Sequence, residues 1–361
     1  MSGSSDTHRI TPAKSGLMMP PQWEPHSATW LVWPHNALDW PGKLQSVIWV
    51  FAEMARHISE GELVRIVVEG EKQQTQASWV LERAGVDLDR IEFFRVETNR
   101  SWIRDYGPIF VKSDSGDGWL GVVGFGFNGW AKYADFELDN LVADKLAEEL
   151  EIDLYRPGSL DGGFVLEGGA FDVNGRGALL TTEECLLDQL VQPRNPGWSK
   201  ADIEKIFEQC LGVKNTLWLK RGIAGDDTHG HIDDVCRFVD SKTVVAAVES
   251  NPRDENFMPL GENLELLAYM ELEGGDRLDV IELPMPSPLY FEGTRLPASY
   301  ANFYICNSCV LVPTFNDPND REALGILAEL FAERKVVGIH SVDLVWGLGS
   351  VHCLTQQQPL V

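Results

Sequence analysis

Ala28-Thr-Trp-Leu-Val-Trp33, a helical face over residues 42–58, and Leu63-Val-Arg-Ile-Val-Val-Glu69 together decide the fold class. The outer two runs are short, continuously apolar and rich in β-branched and aromatic side chains, which is the pattern of buried strands, and Pro34 ends the first. Between them Leu44, Ile48, Phe51, Ala55 and Ile58 recur at the spacing of one helix face. Strand, helix, strand without a long interruption predicts an α/β protein.

The same alternation continues outward. A helix is predicted over 72–84 with Gly85 as its stop, and strands over 90–95, 108–112 and 119–127. Leu138, Leu141, Val142, Leu146 and Leu150 mark a further amphipathic helix. Strands follow at Ala178–Thr182 and Thr243–Val248, helices at 199–210 and 262–272. Last come a strand-rich stretch at 299–315, a helix at 318–333 and the strand Lys335–His340. These units recur every roughly 60–70 residues without copying one another's sequence. No Gly/Ser/Pro linker or charge run divides them. The reading is a loose N-terminal tail over residues 1–17 and one catalytic domain over 18–361. Pattern alone does not separate a doubly wound sheet from a radial arrangement of units.

The chain carries 30 basic and 55 acidic residues, a formal net charge of −25. A field of that sign repels nucleic acid and anionic membrane and attracts cations. The first residues lack the apolar core of a signal peptide, and no run reaches ~18 apolar residues, so a cytoplasmic protein without a membrane partner is expected. The six cysteines show no secreted disulfide pattern and are expected to be thiols.

Gly124-Phe-Gly-Phe-Asn-Gly129 matches the spacing of a dinucleotide loop, but Trp130-Ala-Lys-Tyr133 follows where that motif needs a helix to open. Four other segments carry more chemistry. Trp102-Ile-Arg-Asp105-Tyr-Gly-Pro108, between two strands, offers Trp102 as an apolar wall and Asp105 as an anion for a cationic group; an Arg104–Asp105 ion pair in a turn is the plainer reading. Glu167-Gly-Gly169 is either a sheet-edge turn or a carboxylate that glycines let a ligand approach.

Asp226-Asp-Thr-His229-Gly-His231-Ile-Asp233-Asp234 is too dense in acids and imidazoles for an ordinary solvated loop. It supports two chemistries. One is a metal-dependent hydrolase using His229, His231 and Asp233. The other is metal-free, with His231 as proton shuttle and Asp233, two residues along the same strand face, holding substrate. Cys306-Asn-Ser-Cys309 reads as a hairpin turn with two buried thiols. Finally Trp346-Gly-Leu-Gly-Ser-Val-His-Cys353 presents one thiol after a glycine-rich approach. One thiol, one histidine and several carboxylates suit nucleophilic attack on a positively charged carbon.

In that order the segments resemble the agmatine deiminase and Porphyromonas-type peptidylarginine deiminase family of guanidine-modifying enzymes. The matching pieces are Trp23-Glu-Pro-His-Ser-Ala-Thr-Trp30, Trp102–Pro108, Phe127-Asn-Gly-Trp130 with Lys132-Tyr133, Glu167–Gly169, Gly230-His-Ile-Asp233 and Val351-His-Cys-Leu-Thr-Gln-Gln357. The resemblance implies a five-bladed α/β propeller of ββαβ units in a single domain, the pentein fold. It implies Cys353 as nucleophile, His231 as general acid and base, and Asp105, Glu167 and Asp233 as carboxylates around a guanidinium. Trp102 and Trp130 border the substrate. The implied enzyme is a hydrolase of linear amidines that needs no metal and no cofactor. Its small cationic substrate would be agmatine, free arginine or a peptide arginine. A polyamine-binding protein without turnover is the non-enzymatic alternative, and a homodimer is an arrangement the sequence allows.

Three positions depart from the family pattern: Leu348 where glycine is usual, Arg100 where an acid is usual, and His229 where Asp or Asn is common. A carboxylate-bearing substrate would be met best by a bidentate arginine, and none occurs between Arg104 and Arg156. That favours agmatine.

Overall fold

The computed structural model describes residues 11–113, 115, 118–158 and 163–361. Its organising feature is one connectivity used five times. An antiparallel strand pair is followed by a helix and a third strand that pairs parallel with the second. Ile109–Ser113, Leu120–Val123, helix Val142–Glu149 and Asp153–Tyr155 form one such unit. The pattern returns from Phe171–Val173 with helix Lys200–Leu211, from Cys236–Phe238 with helix Phe257–Leu267, and from Tyr304–Ile305 with helix Asp320–Leu330.

The fifth unit joins distant parts of the chain. Gln356–Pro359 pairs antiparallel with His26–Val32, which after helix Leu44–Ser59 runs parallel to Leu63–Val68. A second helix, Glu71–Arg83, then leads to Ile91–Arg95 on the outer edge. A parallel partner needs a crossover long enough to hold a helix, and the apolar stripes described above supply it. Val47, Phe51, Ala55 and Ile58 on Leu44–Ser59 bury against Trp30, Leu31, Ile66 and Val67 of the strands. Val47, Phe51 and Ile58 each contribute about 1.5–3 kcal/mol by leaving water.

Two expectations shift. The helix placed at 262–272 lies at Phe257–Leu267, because Pro259 sits in its first turn, where its missing N–H costs no helical hydrogen bond. Of the tail expected over 1–17, residues 1–10 lie outside the described residues, but the remainder is built in. Pro12–Ser15 forms a 3-10 turn and Leu17–Met18 pairs with Ile109–Ser113, with Leu17 buried. Gly124–Gly129 opens no helix: a 3-10 turn follows at Gly129–Ala131, and the next α-helix begins at Val142. Among the described residues no helix is long and apolar enough to cross a membrane.

Candidate active site

Each unit delivers its chemistry from the same place, the turn just before its first strand. Ile103–Tyr106, a single helical turn carrying Asp105, precedes Ile109. Glu167 and the 3-10 turn Gly168–Ala170 precede Phe171. His231 and the turn Ile232–Asp234 precede Cys236. Asn302 precedes Tyr304, and Cys353 precedes Gln356. His231 and Asp233 therefore do not share a strand face as expected; His231 caps a 3-10 turn and Asp233 lies inside it, and the tighter geometry of that turn directs them.

The five sequence-predicted groups converge. Gly169 shows how tightly, since a Cβ there would stand 2.6 Å from His231 Nδ1, 2.9 Å from Asp105 Oδ1 and 3.1 Å from Asp233 Oδ2. Only glycine fits at this meeting point. His231 Nδ1 lies 3.7 Å from Asp105 Oδ1, and its Nε2 lies 3.8 Å from Glu167 Oε2. Cys353 Sγ lies 3.9 Å from Asp233 Oδ2 and accepts from Asn302 Nδ2 at 3.2 Å. All are buried.

Asp105 is held by Trp130 Nε1–H on Oδ2 at 2.9 Å and by the Gly169 N–H on Oδ1 at 3.3 Å. It does not pair with Arg104, whose Nη1 donates to Gln357 Oε1 at 2.9 Å and whose Nε donates to the His352 carbonyl at 3.3 Å. Glu167 Oε1 accepts from Arg194 Nε at 2.9 Å. Asp226 accepts from the N–H groups of Gly230 and His231 at 2.7 and 3.0 Å, fixing the turn that carries the imidazole. Glu167 Oε2, His231 Nε2, Asp233 Oδ1 and, behind them, Arg104 Nη2 are buried without a hydrogen-bond partner.

Charge is arranged unevenly. Burial works against ionisation of Glu167, yet the Arg194 guanidinium and His231 hold its carboxyl down at about 2. Burial also opposes the imidazolium of His231, but Asp105, Glu167 and Cys185 outweigh it and raise the group well above its ordinary range. Burial first, then Asp105, lifts Asp233 to about 7 against the lowering effect of His231, Arg237 and Arg104. Burial followed by the charges of Asp233, Asp234 and Asp105 pushes the Cys353 thiol well above 9. With the site empty the carboxylates prevail over the imidazolium, so a thiolate needs an added positive charge.

A cleft of about 580 Å³ opens onto Cys353 and Asp105. Trp102, Trp130, Phe291, Trp346 and Leu348 supply its apolar lining. Cβ atoms at Gly347 or Gly349 would come within 2.7 Å of the Trp102 ring, so both glycines let the chain lie against it. Leu348 between them adopts φ +67°, a left-handed conformation that costs a leucine about 1–2 kcal/mol. Asp39, Asp135, Asp227 and Glu292 line the cleft further out, and among the described residues Arg100 is the sole basic one in the lining. Its guanidinium is tied to Asp39 and Asp135.

His229 turns away, its Nε2–H donating to Asp188 Oδ2 at 2.9 Å, so it does not join His231 and Asp233. Among the described residues, the donors close enough to share a metal ion are Glu167, Cys185 and His231, within 4.8 Å of one another. Arg194 on the same glutamate places a fixed positive charge against that arrangement. Sequence reasoning missed Arg194, Asn302, Gln22 and the role of Arg100. None stands in a motif dense enough in polar groups to attract notice. Only His352, next to the cysteine, carried a visible signal.

Known proteins match this chain along nearly its whole length. The family model for Porphyromonas-type peptidyl-arginine deiminase matches residues 18–359. Agmatine deiminase of Stutzerimonas stutzeri is 36% identical over 372 residues, covering 97% of each chain. The solved structure of agmatine deiminase of Enterococcus faecalis superposes with a TM-score of 0.88 at 33% identity, covering 97% of this chain and 98% of that one. The solved structure of the putative arginine deiminase of Porphyromonas gingivalis gives 0.84 at 35% identity, covering 95% and 98%. By sequence and by structure, the chain belongs to the Porphyromonas-type peptidyl-arginine deiminase family.

Proposed function

We propose that the protein is an agmatine deiminase, converting agmatine and water to N-carbamoylputrescine and ammonia. The observation that carries this reading is the pair of buried carboxylate oxygens without a hydrogen-bond partner, Glu167 Oε2 and Asp233 Oδ1, close to a thiol. An acceptor buried without a partner is costly, and a planar cation with several N–H donors would satisfy both. The curated agmatine deiminases that align over the full chain share this reading.

In the reaction, Asp105, Glu167 and Asp233 hold the guanidinium while Trp102 and Trp130 wall it in. Its positive charge lowers the Cys353 thiol, which releases its proton on binding. Sγ attacks the central carbon and forms the C–S bond. His231, protonated in the empty site, gives its proton to one amino group, and the C–N bond breaks to release ammonia. Water then attacks the S-alkylthiouronium and gives a proton back to His231. The C–S bond breaks and the remaining hydroxyl proton passes to sulfur, leaving the neutral ureido product and the thiol. Asn302 Nδ2–H donates to sulfur and steadies its charge.

The outer cleft supports agmatine over arginine. Of the four outer carboxylates that line the cleft, Asp39 and Asp135 pair with Arg100 and Asp227 pairs with Lys132, so among the described lining residues Glu292 is the acid left to meet an ammonium. An ammonium suits that lining; a carboxylate does not. We also read the five units as blades of a propeller, since each offers the same turn to one cleft.

Ammonia release from agmatine, free arginine and a C-terminal-arginine peptide tests the reading. Agmatine should be turned over fastest, and Cys353→Ser should abolish turnover. Faster turnover of arginine or peptide would overturn the substrate assignment; activity surviving Cys353→Ser would overturn the thiol mechanism.

A further inference from the structure

His352 lies beside the nucleophile but has no part in the chemistry above. It is 2% exposed, with Nδ1 2.7 Å from Asp233 Oδ2 and Nε2 2.9 Å from Gln22 Nε2. The state of this imidazole can be deduced from a residue further back. Arg237 is fully buried, and a guanidinium can only donate. Its Nη2 lies 3.0 Å from Gln22 Oε1, and the Ile305 backbone N–H lies 3.0 Å from the same atom. Two donors converge on that end of the amide, so it is the oxygen.

The other end is then the NH₂, which has no lone pair to offer. Its partners agree: Gln357 Oε1, 3.4 Å away, can only accept, and so must His352 Nε2. A ring nitrogen that accepts is bare, which leaves the proton on Nδ1, facing Asp233 Oδ2. We propose that Gln22 is a positioning residue that fixes His352 as the neutral Nδ1–H tautomer, so that His352 donates to Asp233 and keeps it an acceptor.

The alternative tautomer would set two lone pairs against each other 2.7 Å apart unless Asp233 itself carried the proton. Asp233 would then be a carboxylic acid donating to the ring, a poor partner for a cation. The register of one amide thus decides whether Asp233 meets the substrate as a carboxylate. Arg237 anchors the register through Asp172 Oδ2 at 3.0 Å and the Phe303 carbonyl at 2.9 Å. This inference rests on the deiminase reading for its purpose, but its geometry stands without it.

Long-range ¹H–¹⁵N spectra of the unliganded protein, labelled at histidine, test it. The His352 resonances are assigned by their loss in His352→Asn. In the wild type Nδ1 should carry the proton and Nε2 should be bare at neutral pH. A proton on Nε2, alone or together with Nδ1, overturns the proposal. In Gln22→Glu the new carboxylate accepts, so Nε2 should gain a proton. Agmatine kcat/KM should also fall about ten- to a hundred-fold, the scale of losing one hydrogen bond to a charged group. A Gln22→Glu protein that keeps the bare Nε2 overturns the role of Gln22. Should that variant not fold, the wild-type spectrum alone decides. Because the spectrum needs no substrate, a wild type inactive on every guanidine but showing Nδ1–H refutes only the deiminase reading. An active wild type with Nε2–H refutes only the relay.

Discussion

Arg194 Nε donates to Glu167 Oε1 across 2.9 Å with neither side chain exposed. Such a pair gains little over apolar packing, but removing one member strands a charge in a dry interior, at a cost of about 3–5 kcal/mol. Arg194→Leu should therefore lose about that much stability. Glu167 is held at about 2 against an ordinary 4.5. A depressed carboxyl contributes its full stabilisation above 4.5 and loses it as the pH falls through 2. Urea denaturation of wild type and variant should differ by a constant amount from pH 8 to 5, and the gap should close below that. A gap that widens in acid would contradict the assignment.

Gly169→Ala tests the convergence of the site. Its Cβ would stand 2.6 Å from His231 Nδ1. Displacing the imidazole by a few tenths of an ångström to one ångström should lower kcat/KM by about a hundred-fold. Circular dichroism should stay that of the wild type. Unchanged kinetics would mean that His231 is not held where the reaction needs it.

Leu348→Gly should remove left-handed strain and open the cleft beside Trp346. Relief of about 1 kcal/mol is offset by the greater freedom of an unfolded glycine and lost apolar contact. Stability should thus move little in a thermal melt. Competition assays should show bulkier N-alkylguanidines gaining on agmatine. No shift in that ratio would show that Leu348 does not shape the entrance.

The thiol of the empty enzyme should be sluggish. With Cys353 pushed well above 9 by burial and by Asp233, Asp234 and Asp105, iodoacetamide inactivation should keep rising through pH 9 without a plateau. Asp233→Asn removes one of those charges and should move the curve to lower pH. A plateau near pH 7 in the wild type would place a stable thiolate in the resting site.

The alternation of helix and strand was legible because a buried strand and a one-faced helix leave different periods in sequence, as in Ala28–Trp33 against Leu44–Ile58. Asp105, Glu167, His231, Asp233 and Cys353 were legible as chemistry because each sits among glycines or other polar groups. That they meet was legible only through the family resemblance, because in the chain itself it depends on turns before strands that lie far apart. Arg100 is the clearest case. In the sequence it stood out only as a basic residue where an acid is usual, yet it reaches the cleft between Asp39 and Asp135. Gln22 and Asn302 act through single hydrogen bonds, which leave no period and no cluster.

The pairing of Gln356–Pro359 with His26–Val32 ties the nucleophile to the most non-local strand pairing among the described residues. Cys353 stands three positions before a strand whose partner is more than 300 residues away in sequence. Bringing such distant segments together has an entropic cost that is recovered only when the sheet forms, so this step belongs late in folding. Until it happens the turn that carries the thiol is not anchored on its far side, and the full set of groups around Cys353 is not assembled. Structural completion and chemical competence are then a single event, and a partly folded chain has no half-active form.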